Sequence, residues 1–188
     1  MLNIGPVRFS SFELFELGKS WIALSVAFTI LFRQSLGIPR AFVYALLAVA
    51  VALLLREIVR KLVAQWHHCW VFLWSNPLTL ILAVISSFFG LVFAVPGSVV
   101  IRGALSPSRS GKIALSGPLA NIALAVFFSI LSFIPVISGF ATASVVVNEW
   151  LALFNLLPFP KFDGEIVFDW NKAWYFSALI LSAIIIYF

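Results

Sequence analysis

The sequence predicts an all-α polytopic membrane protein. Three observations carry this: composition, the recurrence of long apolar runs, and the placement of charge. The 188 residues are 63% hydrophobic and only 10% charged, with a mean hydropathy of +1.11, well outside the range of a soluble domain. Runs of about 20 apolar residues recur, each long enough for a hydrocarbon core of roughly 30 Å. Twenty Phe and seven Trp suit lipid-facing surfaces and interfacial belts. The chain has room for about five transmembrane helices, a sixth apolar segment that re-enters or crosses, and a small β-hairpin. These form a single integral membrane domain over residues 1–188 with almost no soluble part. The net charge of +5 reads as cytoplasmic Lys and Arg flanks. It does not read as a nucleic-acid footprint, because no basic cluster sits on a folded platform. One cysteine, Cys69, excludes an internal disulfide framework. The N-terminus lacks a signal-peptide layout, since Arg8, Glu13, Glu16 and Lys19 precede the first apolar run.

Each element follows from local chemistry. Residues 8–18 mix Phe and Leu with Glu and Arg and predict a short amphipathic surface segment. Residues 19–32 form the first span, and Arg33 to Arg40, with Gly37 and Pro39, a tight loop. Residues 41–64 form the second span. Residues 65–76 are aromatic-rich and read as an interfacial strand or turn. Residues 77–95 are apolar but interrupted by Ser86, Ser87 and Gly90, then stopped by Pro96-Gly97. Residues 98–115 alternate weakly around the turn signal Ser106-Pro107-Ser108-Arg109-Ser110-Gly111, which predicts the β-hairpin. Residues 117–134 form a span opening at Gly117-Pro118, 140–157 the next, and 172–188 the last. Between the last two lie Pro158, Pro160 and the loop Lys161 to Glu165.

The second span ends in Arg56-Glu57-Ile58-Val59-Arg60, which has the spacing of H-E-x-x-H. In the intact motif the residues four apart share a helix face and bind one metal, while the glutamate polarises a water. Arginine stays protonated and has no lone pair to give a metal. Two further segments stand downstream. Gly117-Pro118-Leu119-Ala120-Asn121 opens a helix, and Asn155-Leu156-Leu157-Pro158 followed by Asp163-Gly164 matches N-x-x-P-x-x-x-x-D-G. Together the three segments resemble the site-2 protease family of intramembrane zinc metalloproteases. The likeness is to its short archaeal branch, through Lys61 to Ala64, Pro96-Gly97 and Val147-Asn148 to Phe154-Asn155. It extends over nearly the whole chain, with a core at about 41–170.

The resemblance implies a specific site. In that family two histidines and the Asp of Asp-Gly bind zinc, and the glutamate is the general base. Carried over, Asp163 is the third ligand position, Glu57 a vestigial base, and Arg56 and Arg60 stand at both histidine positions. Asn121, Asn155, Pro158 and Gly164 fall at the cleft or substrate-helix contact. With both histidines replaced, no metal and no cofactor are expected.

The family mechanism needs Arg56, Arg60 and Asp163 at one depth, so two spans must separate them and 77–95 must re-enter. The positive-inside rule tests this. With re-entry, Arg8, Lys19, Arg56, Arg60, Lys61, Arg102, Arg109, Lys112, Lys161 and Lys172 share one side. Only Arg33 and Arg40 lie on the other. If 77–95 spans, the split becomes nearly even. The expected orientation is a multi-pass protein of the cell membrane with a cytoplasmic N-terminus.

Two fates are open for the arginines. A guanidinium pairs with Asp163 in the metal's place, or both side chains snorkel to headgroups. Glu149 lies mid-span beside Asn148 and is a substrate or proton site, a contact to a partner helix, or a neutral carboxyl hydrogen-bonded across helices. His67, His68 and Cys69 could supply replacement ligands, but adjacent His-His is not a strong metal spacing, and Trp66 and Trp70 around it look interfacial. The resulting expectation is a catalytically inactive site-2-protease-like protein, acting as a binding or assembly subunit through lateral helix contacts. Its partners are the lipid bilayer and other membrane helices, with no nucleic acid. The alternative is an active intramembrane zinc metalloprotease with shifted ligands. A transporter reading rests on the broken segment 77–95 and Glu149.

Overall fold

The computed structural model of the chain describes residues 2–4, 7–103, 106–160 and 162–187. A short antiparallel pair, β1 (Leu2–Ile4) with β2 (Val7–Phe9), precedes a long helix, α1 (Ser11–Leu36). The helix begins at a capping box. Ser10 Oγ accepts from the Glu13 backbone N–H at 3.1 Å, and the Glu13 carboxylate accepts from the Ser10 N–H at 2.7 Å. Residues 11–18 are therefore the first two turns of a span, not a separate surface segment. Their acids are buried rather than presented to headgroups: Glu13 pairs with Lys61, and Glu16 accepts from the Ser75 hydroxyl and, at 3.0 Å, from its backbone N–H.

The loop expected at Arg33 to Arg40 shrinks to one residue. Gly37, at φ +74° and ψ 153°, ends α1 and opens α2 (Ile38–Trp66), with Pro39 in the first turn. Along α2 the buried positions Ala41, Ala45, Ala48 and Ala52 continue into Arg56, Arg60 and Ala64. Steps of three and four residues make one stripe. Its small members let α1, α4 and α5 approach closely, and its two long members are the arginines.

Beyond α2 a two-stranded sheet forms from β3 (Cys69–Ser75) and β4 (Gly97–Gly103). They are antiparallel, with Cys69 opposite Gly103 and Ser75 opposite Gly97. Between them lies α3 (Pro77–Ser87), whose 11 residues reach only about 16 Å. The segment leaves beside Glu16. It carries Phe88 to 5.4 Å from the Arg33 guanidinium near the far end of α1, then returns without helix to Pro96. The Pro96 carbonyl accepts from Ser20 Oγ at 2.9 Å. Residues 77–95 thus come back to the end of the bundle from which they left, with one face packed on α1 and the other exposed. The β-hairpin expected over 98–115 is corrected: β4 pairs with β3 across this excursion.

The turn signal at Ser106 starts a helix instead. Ser106 Oγ accepts from the Arg109 N–H at 3.3 Å, and α4 (Pro107–Leu131) runs on through Gly117-Pro118. Sequence reading misplaced this start because Ser-Pro serves turns and helix N-termini alike. Then follow α5 (Ser138–Asn155), α6 (Asp163–Trp170) and α7 (Lys172–Tyr187). Helices α2 and α5 run parallel, since Gly139 packs on the Tyr44 ring at one end and Asn155 reaches Arg56 at the other.

Among the described residues three helices, α1, α2 and α4, are long and apolar enough to cross a bilayer, against the five expected. Asn148, Glu149 and Asn155 make α5 less apolar, and the 16 residues of α7 reach only about 24 Å. Lys161 and the side chain of Arg8, both counted in the charge split, lie outside the described residues.

The backbone of Gly37 belongs to a region that side chains rarely adopt. Gly37→Ala is expected to destabilise the protein by about 1–3 kcal/mol. Gly18→Ala, where a Cβ meets nothing within 4 Å, should be neutral or mildly stabilising. Equilibrium unfolding in mixed micelles compares the two.

Candidate functional site

The stripe on α2 delivers Arg56 and Arg60, one turn apart, to a point where α2, α4, α5 and the start of α6 meet. Both arginines are fully buried, and Glu57, Asn155 and Asp163 are each at most 3% exposed. One carboxylate oxygen gathers the cluster. Asp163 Oδ2 accepts from Arg56 Nη2 at 2.8 Å and from Arg60 Nη2 at 2.6 Å. Arg60 Nη1 donates to Glu57 Oε1 at 2.6 Å, and Arg56 Nη2 also donates to Asn155 Oδ1 at 3.0 Å. The arginines do not snorkel to the surface; they point inward to an acid more than 100 residues away in sequence.

Two guanidinium and two carboxylate charges balance. That balance matters, because an isolated charge buried away from water costs several kcal/mol. Asp163 stands in the first turn of α6, where exposed N–H groups also favour a carboxylate. Asn155 is fixed by its amide, which donates to the Leu151 carbonyl at 2.6 Å and to the Ala94 carbonyl at 3.3 Å. The returning limb of the re-entrant segment therefore braces the site through Asn155. Arg56 Nε, Arg56 Nη1 and Arg60 Nε have no hydrogen-bond partner among the described residues.

Two glycines make the geometry possible. A Cβ on Gly117 would lie 2.3 Å from Arg60 Nη2, so the guanidinium rests on a bare stretch of α4. A Cβ on Gly164 would lie 2.2 Å from the Leu156 carbonyl oxygen, so only glycine lets α6 start against the end of α5. Pro118 follows Gly117 inside α4; it removes one helical N–H there.

The other sequence-singled residues are spread out. Asn121, one turn beyond Gly117 on the same face of α4, is fully buried, and its amide has no partner among the described residues. Pro158 is exposed in the α5–α6 loop. His67 and His68 sit in the turn after α2, with His68 exposed at φ 56°. Asn148 donates to the Ser144 carbonyl within its own helix, so it braces locally, not across helices. Sequence reading missed Gly117 as a cradle for Arg60, Ala94 as a support for Asn155, and Ser182 as the partner of Glu149. Only Gly117 left a sequence signal, the Gly-Pro pair.

A zinc ion does not fit these residues. Among the described residues no three His, Cys, Asp or Glu side chains converge, and guanidinium groups repel a cation.

The fold defines a mostly helical membrane protein with three helices long and apolar enough to cross a bilayer among the described residues. No family model matches the sequence, and no solved structure does. A protein of Methanocaldococcus jannaschii named "Putative zinc metalloprotease" is 34% identical over 187 residues, covering 96% of either chain. The chain belongs to that metalloprotease family.

Because Gly117 leaves no room beside Arg60, Gly117→Ala should push the guanidinium off Asp163 and destabilise the fold by about 1–3 kcal/mol. Gly139→Ala, whose Cβ would meet Tyr44 at an ordinary 3.4 Å, should change little. Thermal unfolding in one detergent, followed by circular dichroism, distinguishes them.

Proposed function

We propose that the chain is a catalytically inactive member of the site-2 protease family, serving as a binding or assembly subunit through helix contacts within the bilayer. The observation that carries this is the convergence of both guanidinium groups on Asp163 Oδ2. By the motif alignment these three residues stand at the family's zinc-ligand positions. Two fixed positive charges there match the charge of the divalent ion and repel a second cation. Glu57, at the general-base position, gives its Oε1 to Arg60, which leaves that oxygen engaged in a charge-assisted hydrogen bond. In a metalloprotease the ion acts as Lewis acid and activates the water, and two guanidinium groups have no lone pair with which to hold one. Asn121, Asn155, Pro158 and Gly164 then serve to shape a cleft and position helices.

The same reading orients the chain. With the N-terminus cytoplasmic, α1, α2, α4 and α5 cross in alternate directions, and α3 dips in and returns. The parallel run of α5 beside α2, from Tyr44 to Arg56, supports α5 crossing at the same depth despite its polar residues. Glu149, paired internally with Ser182, removes part of what made α5 too polar. Exposed Trp66, Trp70 and Trp74 at the sheet end would mark the cytoplasmic interface.

Metal analysis of the purified full chain tests the loss of zinc chemistry. The expected content is far below one zinc per chain and unchanged by Asp163→Ala. The double variant Arg56→His/Arg60→His should rise towards about one per chain, since it restores three ligands around an open position. Stoichiometric zinc in the unaltered protein, lost on Asp163→Ala, would sink the proposal in favour of a protease with shifted ligands.

A further inference from the structure

The carboxyl of Glu149 plays no part in the Asp163 cluster, yet it is only 2% exposed. It stands near the middle of α5, eleven residues from Ser138 and six from Asn155, or about 16 and 9 Å along the axis. Its Oε2 accepts from Ser182 Oγ of α7 at 3.1 Å, which ties α5 to α7. Its Oε1 has no hydrogen-bond partner among the described residues. That oxygen belongs to a side chain lining a groove of about 700 Å³ between α4, α5 and α7. The walls are mostly apolar, and Phe133 on the rim is 86% exposed. Hydroxyls of Ser129, Ser132 and Thr142 interrupt them, and Ser132 already donates to the Ser129 carbonyl at 2.7 Å.

A carboxyl oxygen without a donor, flanked by lipid, is costly, and acids at this depth are characteristically paired. The groove therefore asks for one donor delivered through an apolar environment. A lipid amine does not deliver it, because headgroups stay at the interface while Glu149 lies well inside. A transmembrane helix does: it fills the apolar walls with its own side chains and carries a Lys or Arg at mid-depth. Charge complementarity then selects it, as a long basic side chain reaches between the walls to the free oxygen.

We propose that the α4–α5–α7 groove docks a partner transmembrane helix bearing a basic residue near its middle, received by Glu149. The proposal rests on the reading of the chain as an assembly subunit and names the surface that would do the assembling.

The test uses the full chain in lipid nanodiscs and labelled host peptides of the Leu-Ala transmembrane type, with binding read by energy transfer. Three peptides are compared: Lys at the centre, Leu at the centre, and Lys in a terminal turn. The central-Lys peptide should bind about tenfold more tightly than the other two, the scale of one polar contact between helices in a bilayer. Glu149→Gln, which keeps the size and the acceptor for Ser182, should abolish that preference while leaving thermal unfolding nearly unchanged. Equal affinities for the three peptides, or a preference kept in Glu149→Gln, would overturn the groove and leave the non-catalytic reading untouched. So would Glu149-dependent binding of a long-chain alkylammonium without binding of the central-Lys peptide, or Glu149-dependent self-association without it. Cleavage of the central-Lys peptide, with its affinity preference kept, would support the groove and overturn only the non-catalytic reading.

Discussion

A single carboxylate oxygen, Asp163 Oδ2, holds two arginines that are fully buried in the C-terminal half of α2. Most of the fold can be read from what that junction requires. The arginines need a small-residue stripe to bring them inward, and α2 supplies it through Ala41, Ala45, Ala48 and Ala52. The acid must arrive on a helix start packed against α5, and Gly164 permits that approach. The Arg60 guanidinium needs a surface without a side chain, and Gly117 provides it. Asn155 links the junction to the re-entrant segment through the Ala94 carbonyl. Removing any one of these leaves a charge or polar group unmatched in a place that water does not reach.

A second polar system holds the opposite flank of α2. Glu13 and Lys61 pair beneath the Phe9 ring, and Glu16 receives the Ser75 hydroxyl and backbone. These contacts pin the start of α1 to the end of α2 and to the last residue of β3. They fix where the re-entrant segment begins, and the Ser20 bond to Pro96 fixes where it ends. Glu13 and Glu16, which weaken the apolar pattern of residues 8–18, are therefore packing elements of the bundle. Both systems set an acid from the first turn of a helix, Glu13 or Asp163, against basic residues in the C-terminal half of α2.

The sequence makes the apolar helices legible because composition and run length alone require them. The return of 77–95 to the end of the bundle it leaves agrees with one of the two courses the sequence left open, the one favoured by the charge split and by the need for Arg56 and Asp163 to share a depth. The helix start at Pro107 was not legible, because Ser-Pro signals turns as well as N-terminal caps, and only the β3–β4 pairing decides between them. The count of spans failed because run length outweighed polar content in the reading: Asn148, Glu149 and Asn155 make α5 less apolar, and α7 has only 16 residues. The motif positions singled out Arg56, Arg60 and Asp163, which meet in the structure, and the inward turn of the arginines needed the α2 stripe and Gly117 together. Ser182 as the partner of Glu149 carries no sequence signal, since a lone serine in an apolar helix ordinarily bonds to its own backbone.

The central claim is that the arginine–aspartate junction clamps α2 to α6. A double-mutant cycle on Arg60 and Asp163 measures it directly. Arg60→Met, Asp163→Leu and the pair are compared by reversible unfolding in mixed micelles. The account predicts that each single change is strongly destabilising, because it strands a buried partner charge. The double variant should recover much of the loss, giving a coupling of about 2–3 kcal/mol. Additive effects, with a coupling below about 0.5 kcal/mol, would show that the two groups act independently and would contradict the clamp.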